Sequence, residues 1–260
     1  MENKKKISAS FSKAAKTYDT VSDIQKKAAK DLIEKVKRDI KNDKVVTILD
    51  IGCGTGALFQ ELADFIPSCL YFGLDISPDM LKVASTQHGK NLNVVCADMD
   101  NLPFSSFQFD FIISSSTLQW GGKNLFPWLH ECNRLLKPSG RFIFNLMIKG
   151  SLENFYNAYN TVMGVNSQLH IYPDTKKLLT ELRDNFNLLE CKEKKYQKSY
   201  THILDFLRDI QKTGAKSVLI EKNNNRLTKE KLYAIEKTMK GNRDEINLLY
   251  NYLFVTCKQP

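Results

Sequence analysis

No stretch of this 260-residue chain approaches the roughly 20 consecutive apolar residues that a bilayer-spanning helix requires, although 42% of it is apolar. A membrane span is therefore not expected. The six cysteines (Cys53, Cys69, Cys96, Cys132, Cys191, Cys257) contain no C-x-x-C pair. His88, His130, His170 and His202 show no ligand spacing with one another or with the cysteines, so no metal is expected. The cysteines read as reduced core residues, with Cys53 set apart because a glycine loop wants its small side chain. Met1 to Ser10 carries Lys4, Lys5 and Lys6 but lacks the apolar stretch and cleavage site of a secretory signal, which makes the cytoplasm the expected location. Internal repeats are absent. So are the attached modules and the N-P-P-Y-type motif of a nucleic-acid enzyme.

The charge is lopsided, with 38 Lys and Arg against 29 Asp and Glu, a net of +9. The excess suits an anionic partner through long-range steering. It is equally compatible with an ordinary solvated surface, because the lysines are spread along the chain with acids between them.

Periodicity alternates between the two regular structures. Helical spacing runs from Phe11 to Arg38, followed by a polar break at Lys41 to Lys44. Strands are predicted at Val45 to Leu49, Leu70 to Leu74, Leu92 to Cys96, Phe109 to Ser114 and Arg141 to Met147. Helices fall between them at Ala57 to Phe65 (ended by Pro67), Pro78 to Ser85 and Leu125 to Leu136, the last stopped by a Lys137 to Gly140 turn. Beyond come a helix around Asp174 to Asn185, a strand around Asn187 to Tyr196, a helical stretch from His202 to Lys240 and a strand at Leu248 to Cys257. The Asn223-Asn224-Asn225 run is a polar break within that stretch. Strand-helix alternation implies a parallel sheet. The expected organisation is a single domain, with residues 1–44 an N-terminal helical segment, 45–147 a ligand-binding core, and 148–260 a C-terminal part with a helical lid at about 200–245.

After the first strand comes Asp50-Ile51-Gly52-Cys53-Gly54-Thr55-Gly56. Its glycines permit a sharp bend and close approach of the backbone to a ligand, with a helix N-terminus behind. A dinucleotide fingerprint places its third glycine one residue further on to admit a pyrophosphate. The G-x-G-x-G spacing, preceded by an acid, better suits a zwitterion such as S-adenosylmethionine, whose amino group and sulfonium Asp50 can favour directly or through water. Asp75 and Asp98 close the next two strands at the carboxyl edge of the sheet. Asp75 can there take ribose hydroxyls, and Asp98 can accept from an adenine amino group. Either acid alone could be a helix cap. Met80 and Met99 are candidates for sandwiching the adenine, and Ser114 for lying near the reacting methyl.

Leu49 to Gly56, Gly73 to Met80, Ala97-Asp98 and Leu135 to Gly140 resemble the class I S-adenosylmethionine methyltransferases. That resemblance implies a Rossmann-like α/β fold, a mostly parallel seven-stranded sheet with helices on both faces and a helical insertion near the C-terminus. Ser10 to Asp19, Ser116-Thr117-Leu118-Gln119-Trp120, Phe144 to Leu152 and Tyr200 to Ala215 are similar to the malonyl-[acyl-carrier protein] O-methyltransferases of biotin synthesis. Lys13 and Ser115 depart from that family's usual arginine and asparagine. The likeness implies methylation of the free carboxyl of a malonyl thioester on acyl-carrier protein or coenzyme A. Such an acceptor needs no general base, since it is ionised near neutral pH, but it needs an anchor. Tyr18, Gln119 and Arg208 are the candidates, with Tyr18 also expected over the cofactor. An enzyme acting on another small acid such as aconitate, or on a quinone, would carry the same cofactor motifs. So would a non-catalytic assembly protein of this fold.

Overall fold

A computed structural model describes residues 2–40, 45–66, 69–121, 125–165, 172–215 and 227–260. Lys41 to Lys44, Pro67, His170 and Asn223 to Asn225 lie outside them. The β-branched and aromatic runs form β1 (Val46–Ile51), β2 (Cys69–Asp75), β3 (Asn93–Cys96), β4 (Phe109–Ser115), β5 (Leu136–Met147), β6 (Asn187–Tyr200) and β7 (Ile246–Lys258). Their order across the sheet is β3-β2-β1-β4-β5-β7-β6. The first five are parallel and β7 runs antiparallel to both β5 and β6. This is the expected mostly parallel seven-stranded fold. The strand order reverses between β1 and β4, where open α/β sheets leave a crevice beyond their carboxyl ends.

The helices are α1 (Glu2–Ala14), α2 (Tyr18–Val21), α3 (Asp23–Asp39), α4 (Ala57–Ala63), α5 (Pro78–His88), α6 (Leu125–Leu135), α7 (Glu153–Met163), α8 (Thr175–Asn185), α9 (Ile203–Lys212) and α10 (Lys229–Lys240). Local chemistry sets several starts. Ser77 Oγ accepts from the Met80 N–H, with Pro78 at the first helical position of α5, and Asp174 accepts from Lys176 and Lys177 N–H at the head of α8.

Side chains alternate across a strand, so adjacent residues feed different cores. Ile48, Ile113 and Ile143 pack with Ala28, Leu32 and Val36 of α3 on one face. Their neighbours Leu49, Ile112 and Phe142 pack with Trp128 and Leu129 of α6 and Leu178 and Leu182 of α8 on the other. Among the described residues no helix is long and apolar enough to cross a membrane.

Four details differ from the sequence reading. The N-terminal segment is three helices starting at Glu2, with α1 ending at Ala14. Helix α7 was not expected. Lys137 to Gly140 is a bulge within β5, since Leu136 already pairs with Phe109 and Arg141 with Phe111. Pro138 brings no N–H to the ladder and Ser139 takes a φ of 67°, so the chain bows out there without ending the strand. Cys96 and Cys191 are exposed and Cys69 half-buried, on strands near the sheet edge, so only Cys53, Cys132 and Cys257 are core residues.

Candidate functional site

At the end of β1 the chain must turn, and Gly52, Gly54 and Gly56 do so at φ of 73°, 56° and 88°, where a β-carbon is penalised. A β-carbon on Gly52 would lie 2.2 Å from the Thr117 side chain. One on Gly54 would project into open space. That space is a cavity of about 720 Å³ over the carboxyl ends of β1, β2 and β4, and Gly52, Gly54, Asp75, Met80, Asp98 and Met99 all line it. Gly56 does not. It precedes α4 with its α-carbon against the His88 ring, so its part is the turn.

Asp75 is positioned by the loop it faces: Oδ2 accepts from Gly54 N–H at 3.0 Å and Oδ1 from Ser77 N–H at 2.8 Å. Burial raises its carboxyl, and those two backbone bonds oppose the rise. A carboxylate has about four acceptor sites, so it can still take hydroxyls from a ligand. Asp98 Oδ1 accepts from Lys4 at 2.5 Å and from Asp100 N–H at 3.0 Å, and Lys4 also pairs with Asp100. The ion pair lays α1 across the cavity, and Ile7 and Phe11 of that helix complete the roof.

Asp50 is fully buried. Its Oδ2 accepts from the Tyr71 hydroxyl at 2.8 Å, while Oδ1 has no partner. Burial pushes the carboxyl up to about 7, against the pull of the Tyr71 bond. It lines a side cavity of about 470 Å³ with Asp19, Ser22 and Thr55. Thr55 Oγ1 donates to Asp19 at 2.9 Å, tying the glycine loop to α2. The side cavity joins the main one at Gly52, Gly54, Tyr18, Ser115 and Ser116.

A third cavity of about 650 Å³ opens from the main one past Phe11, Tyr18, Ser116 and Trp120. Tyr172, Tyr200, Tyr250 and Thr213 supply hydroxyls to its wall, and Lys198 and Asp209 its charges. Lys198 bridges Asp23 at 2.8 Å and Asp209 at 2.9 Å, and Tyr200 donates to Asp209 at 3.0 Å. Gln119 lines this cavity, buried, with Nε2 on the Ser116 carbonyl and Oε1 unpartnered. Tyr18 faces all three cavities, and burial raises its phenol, which keeps it a hydrogen-bond donor.

Two expected residues point elsewhere. Ser114 is buried with Oγ donating to the Ile51 carbonyl at 2.7 Å, because strand alternation turns it into the sheet; Ser115 and Ser116 face the cavity instead. Arg208 is paired with Asp205 and 67% exposed, on the face of α9 opposite Ile210. Lys4, Ile7, Phe11, Asp19, Ser116 and Thr117 line these cavities without having been singled out as site residues. Helical spacing of Ile7, Phe11 and Tyr18 was the available signal.

Residues 49–144 match a family model described as a methyltransferase domain. The fold is also that of geranyl diphosphate C-methyltransferase from Streptomyces coelicolor, solved with S-adenosyl-L-homocysteine, at a TM-score of 0.53 and 13% identity, covering 89% of this chain and 75% of that one. Fold, glycine loop and acids define a class I S-adenosylmethionine-dependent methyltransferase. The chain is 31% identical over 266 residues to the malonyl-[acyl-carrier protein] O-methyltransferase of Buchnera aphidicola, spanning 98% of each. Over 160 residues, 62% of this chain and 31% of the other, it is 34% identical to the biotin biosynthesis bifunctional protein BioHC of Cellvibrio japonicus. It belongs to the malonyl-[acyl-carrier protein] O-methyltransferase family. Its cofactor is S-adenosylmethionine, and the residues present suit that molecule: an orphaned buried carboxylate oxygen for an ammonium, space over Gly54, and acids at two strand ends.

Proposed function

We propose that this enzyme methylates the free carboxyl of a malonyl group carried on acyl-carrier protein, giving the methyl ester early in biotin assembly; malonyl-coenzyme A offers the same chemistry. The observation that carries this reading is the hydroxyl-lined cavity sharing Phe11, Tyr18, Ser116 and Trp120 with the cofactor cavity. Among the described residues it holds no free base, since Asp209 is taken by Lys198 and Tyr200. A carboxylate acceptor, already ionised near neutral pH, requires none.

Bound S-adenosylmethionine supplies an electrophilic methyl on a positively charged sulfur. Asp75 is assigned to its ribose hydroxyls, Asp98 to its adenine amino group between Met80 and Met99, and Asp50 with the side cavity to its amino-acid end. Gly52 and Gly54 bring the backbone close, and Lys4, Ile7 and Phe11 exclude water from above. The enzyme's work on the acceptor is alignment and desolvation. Tyr18 and Gln119 stand at the junction and orient the carboxylate without a proton transfer.

The test is incubation with S-adenosylmethionine and malonyl-carrier protein, followed by intact mass, with Asp75→Ala as control. A methyl gain lost in the control supports the reading. Cofactor binding without a gain on the carrier, on malonyl-coenzyme A or on free acids such as aconitate would turn it towards the non-catalytic role.

A further inference from the structure

Ser116 sits at the end of β4 with φ of 55°, a left-handed conformation uncommon for any residue but glycine. The strain is held in place from several sides. Its N–H donates to Asn145 Oδ1 at 3.0 Å and to the Asn145 carbonyl at 3.2 Å, and its carbonyl accepts from Gln119 Nε2 at 2.6 Å. Asn145 is itself fully buried, with Nδ2 donating to the Ala28 carbonyl at 2.8 Å, which fixes the amide oxygen towards Ser116. Glycine would make the same turn without strain. What serine adds is a hydroxyl, and residues held in such conformations cluster where chemistry needs them.

That hydroxyl lies 3.0 Å from Tyr252 Oη. Tyr252 is fully buried on β7, and burial raises its phenol, so it stays protonated. The described residues give its hydroxyl no other partner, and a buried O–H is costly to leave unpaired. Tyr252 therefore donates to the serine oxygen, which frees the serine proton for the cavity. Among the described residues, Ser116 and Tyr18 alone line the cofactor cavity, its side cavity and the hydroxyl-lined cavity together.

We propose that Ser116 is a catalytic residue for the acceptor: its hydroxyl, braced by Tyr252, donates to the acceptor carboxylate beside Tyr18 where the cavities meet. The inference rests on the carboxyl-acceptor reading above. Neutral hydroxyls suit that task. They orient an anion without neutralising the charge that makes it a nucleophile, and the cavity's cation Lys198 is already shared between two carboxylates. Tyr252 is a positioning residue, acting through Ser116.

Ser116→Gly is the informative variant, because glycine favours the observed φ and folding is not at issue. Steady-state kinetics on malonyl-carrier protein and calorimetric binding of S-adenosylmethionine are measured for wild type, Ser116→Gly, Tyr252→Phe and the double variant. The expected result is a loss of about tenfold or more in kcat/KM for the acceptor with Ser116→Gly, the size of a hydrogen bond to a charged group. Cofactor affinity should not fall, and Tyr252→Phe should cost nothing further in kcat/KM once Ser116 is gone. Unchanged acceptor kinetics in Ser116→Gly would overturn the catalytic assignment. Losses that multiply in the double variant would overturn the bracing. A wild type unable to methylate the carrier would overturn the acceptor reading, and this inference with it.

Discussion

The stability of cofactor-free Asp50→Asn relative to wild type should increase as pH rises. Asp50 is buried, and its carboxyl is raised from an ordinary 3.8 to about 7. Between those values the folded protein holds a proton that the unfolded chain has released, so raising the pH through this window removes stability. The difference in that cost between about pH 5 and pH 8 is on the order of 2–3 kcal/mol. Asparagine keeps the shape and still accepts from Tyr71, but carries no charge. Its amide nitrogen takes the place of the unpartnered Oδ1 at a pH-independent cost of about 1–3 kcal/mol. The absolute change depends on that cost; the slope does not. The melting temperature of the variant relative to wild type should therefore climb by about 5–10 °C from pH 5 to pH 8. Other titrating groups cancel in the comparison. Cofactor affinity of the wild type should rise as Asp50 ionises through pH 7, and that dependence should vanish in the variant. Differential scanning fluorimetry and calorimetry at four pH values suffice. A difference between the two proteins that is flat with pH would refute the buried, unpaired carboxylate.

Gly52→Ala should cost about 3 kcal/mol of unfolding free energy, read from a lowered denaturant midpoint, through a strained φ and a β-carbon driven into Thr117, and should weaken cofactor binding; an unchanged midpoint would contradict the tight turn. Arg208→Ala should leave stability within about 0.5 kcal/mol and acceptor kinetics unaltered, because the guanidinium is exposed and paired with Asp205. A large loss of kcat/KM would return it to the site. Lys4→Ala should loosen α1 and speed cofactor release, by a modest factor because the ion pair with Asp98 and Asp100 is partly exposed; stopped-flow chase of bound cofactor measures it.

The cofactor half was legible because its determinants are local. Three glycines after a strand, and acids closing two further strands, locate a crevice whatever the rest of the chain does. Which of three consecutive serines faces that crevice was not legible. It depends on where β4 stops alternating, and the left-handed Ser116 that sets this is held by Asn145 from β5. Arg208 failed for a related reason: helical spacing gives a face of α9, but only packing against β6 and α10 decides that Ile210 and Asp209 turn inward. The roof residue Lys4 finds its partners 94 and more residues away. Sequence spacing carries no trace of such a pairing.

The roof has one more consequence. Ser10 donates to the Gly214 carbonyl across 204 residues, and Thr17 to the Lys212 carbonyl across 195. Contacts so distant in sequence close late, after the loop entropy between them has been overcome. During synthesis the glycine cradle, its acids and the Lys4 ion pairs can form once β5 has emerged, while the ties at Ser10 and Thr17 wait for α9. A nascent or truncated chain ending before that helix would hold its roof by the α1 side alone, so retention of the methyl donor should tighten further once the last third of the protein has folded.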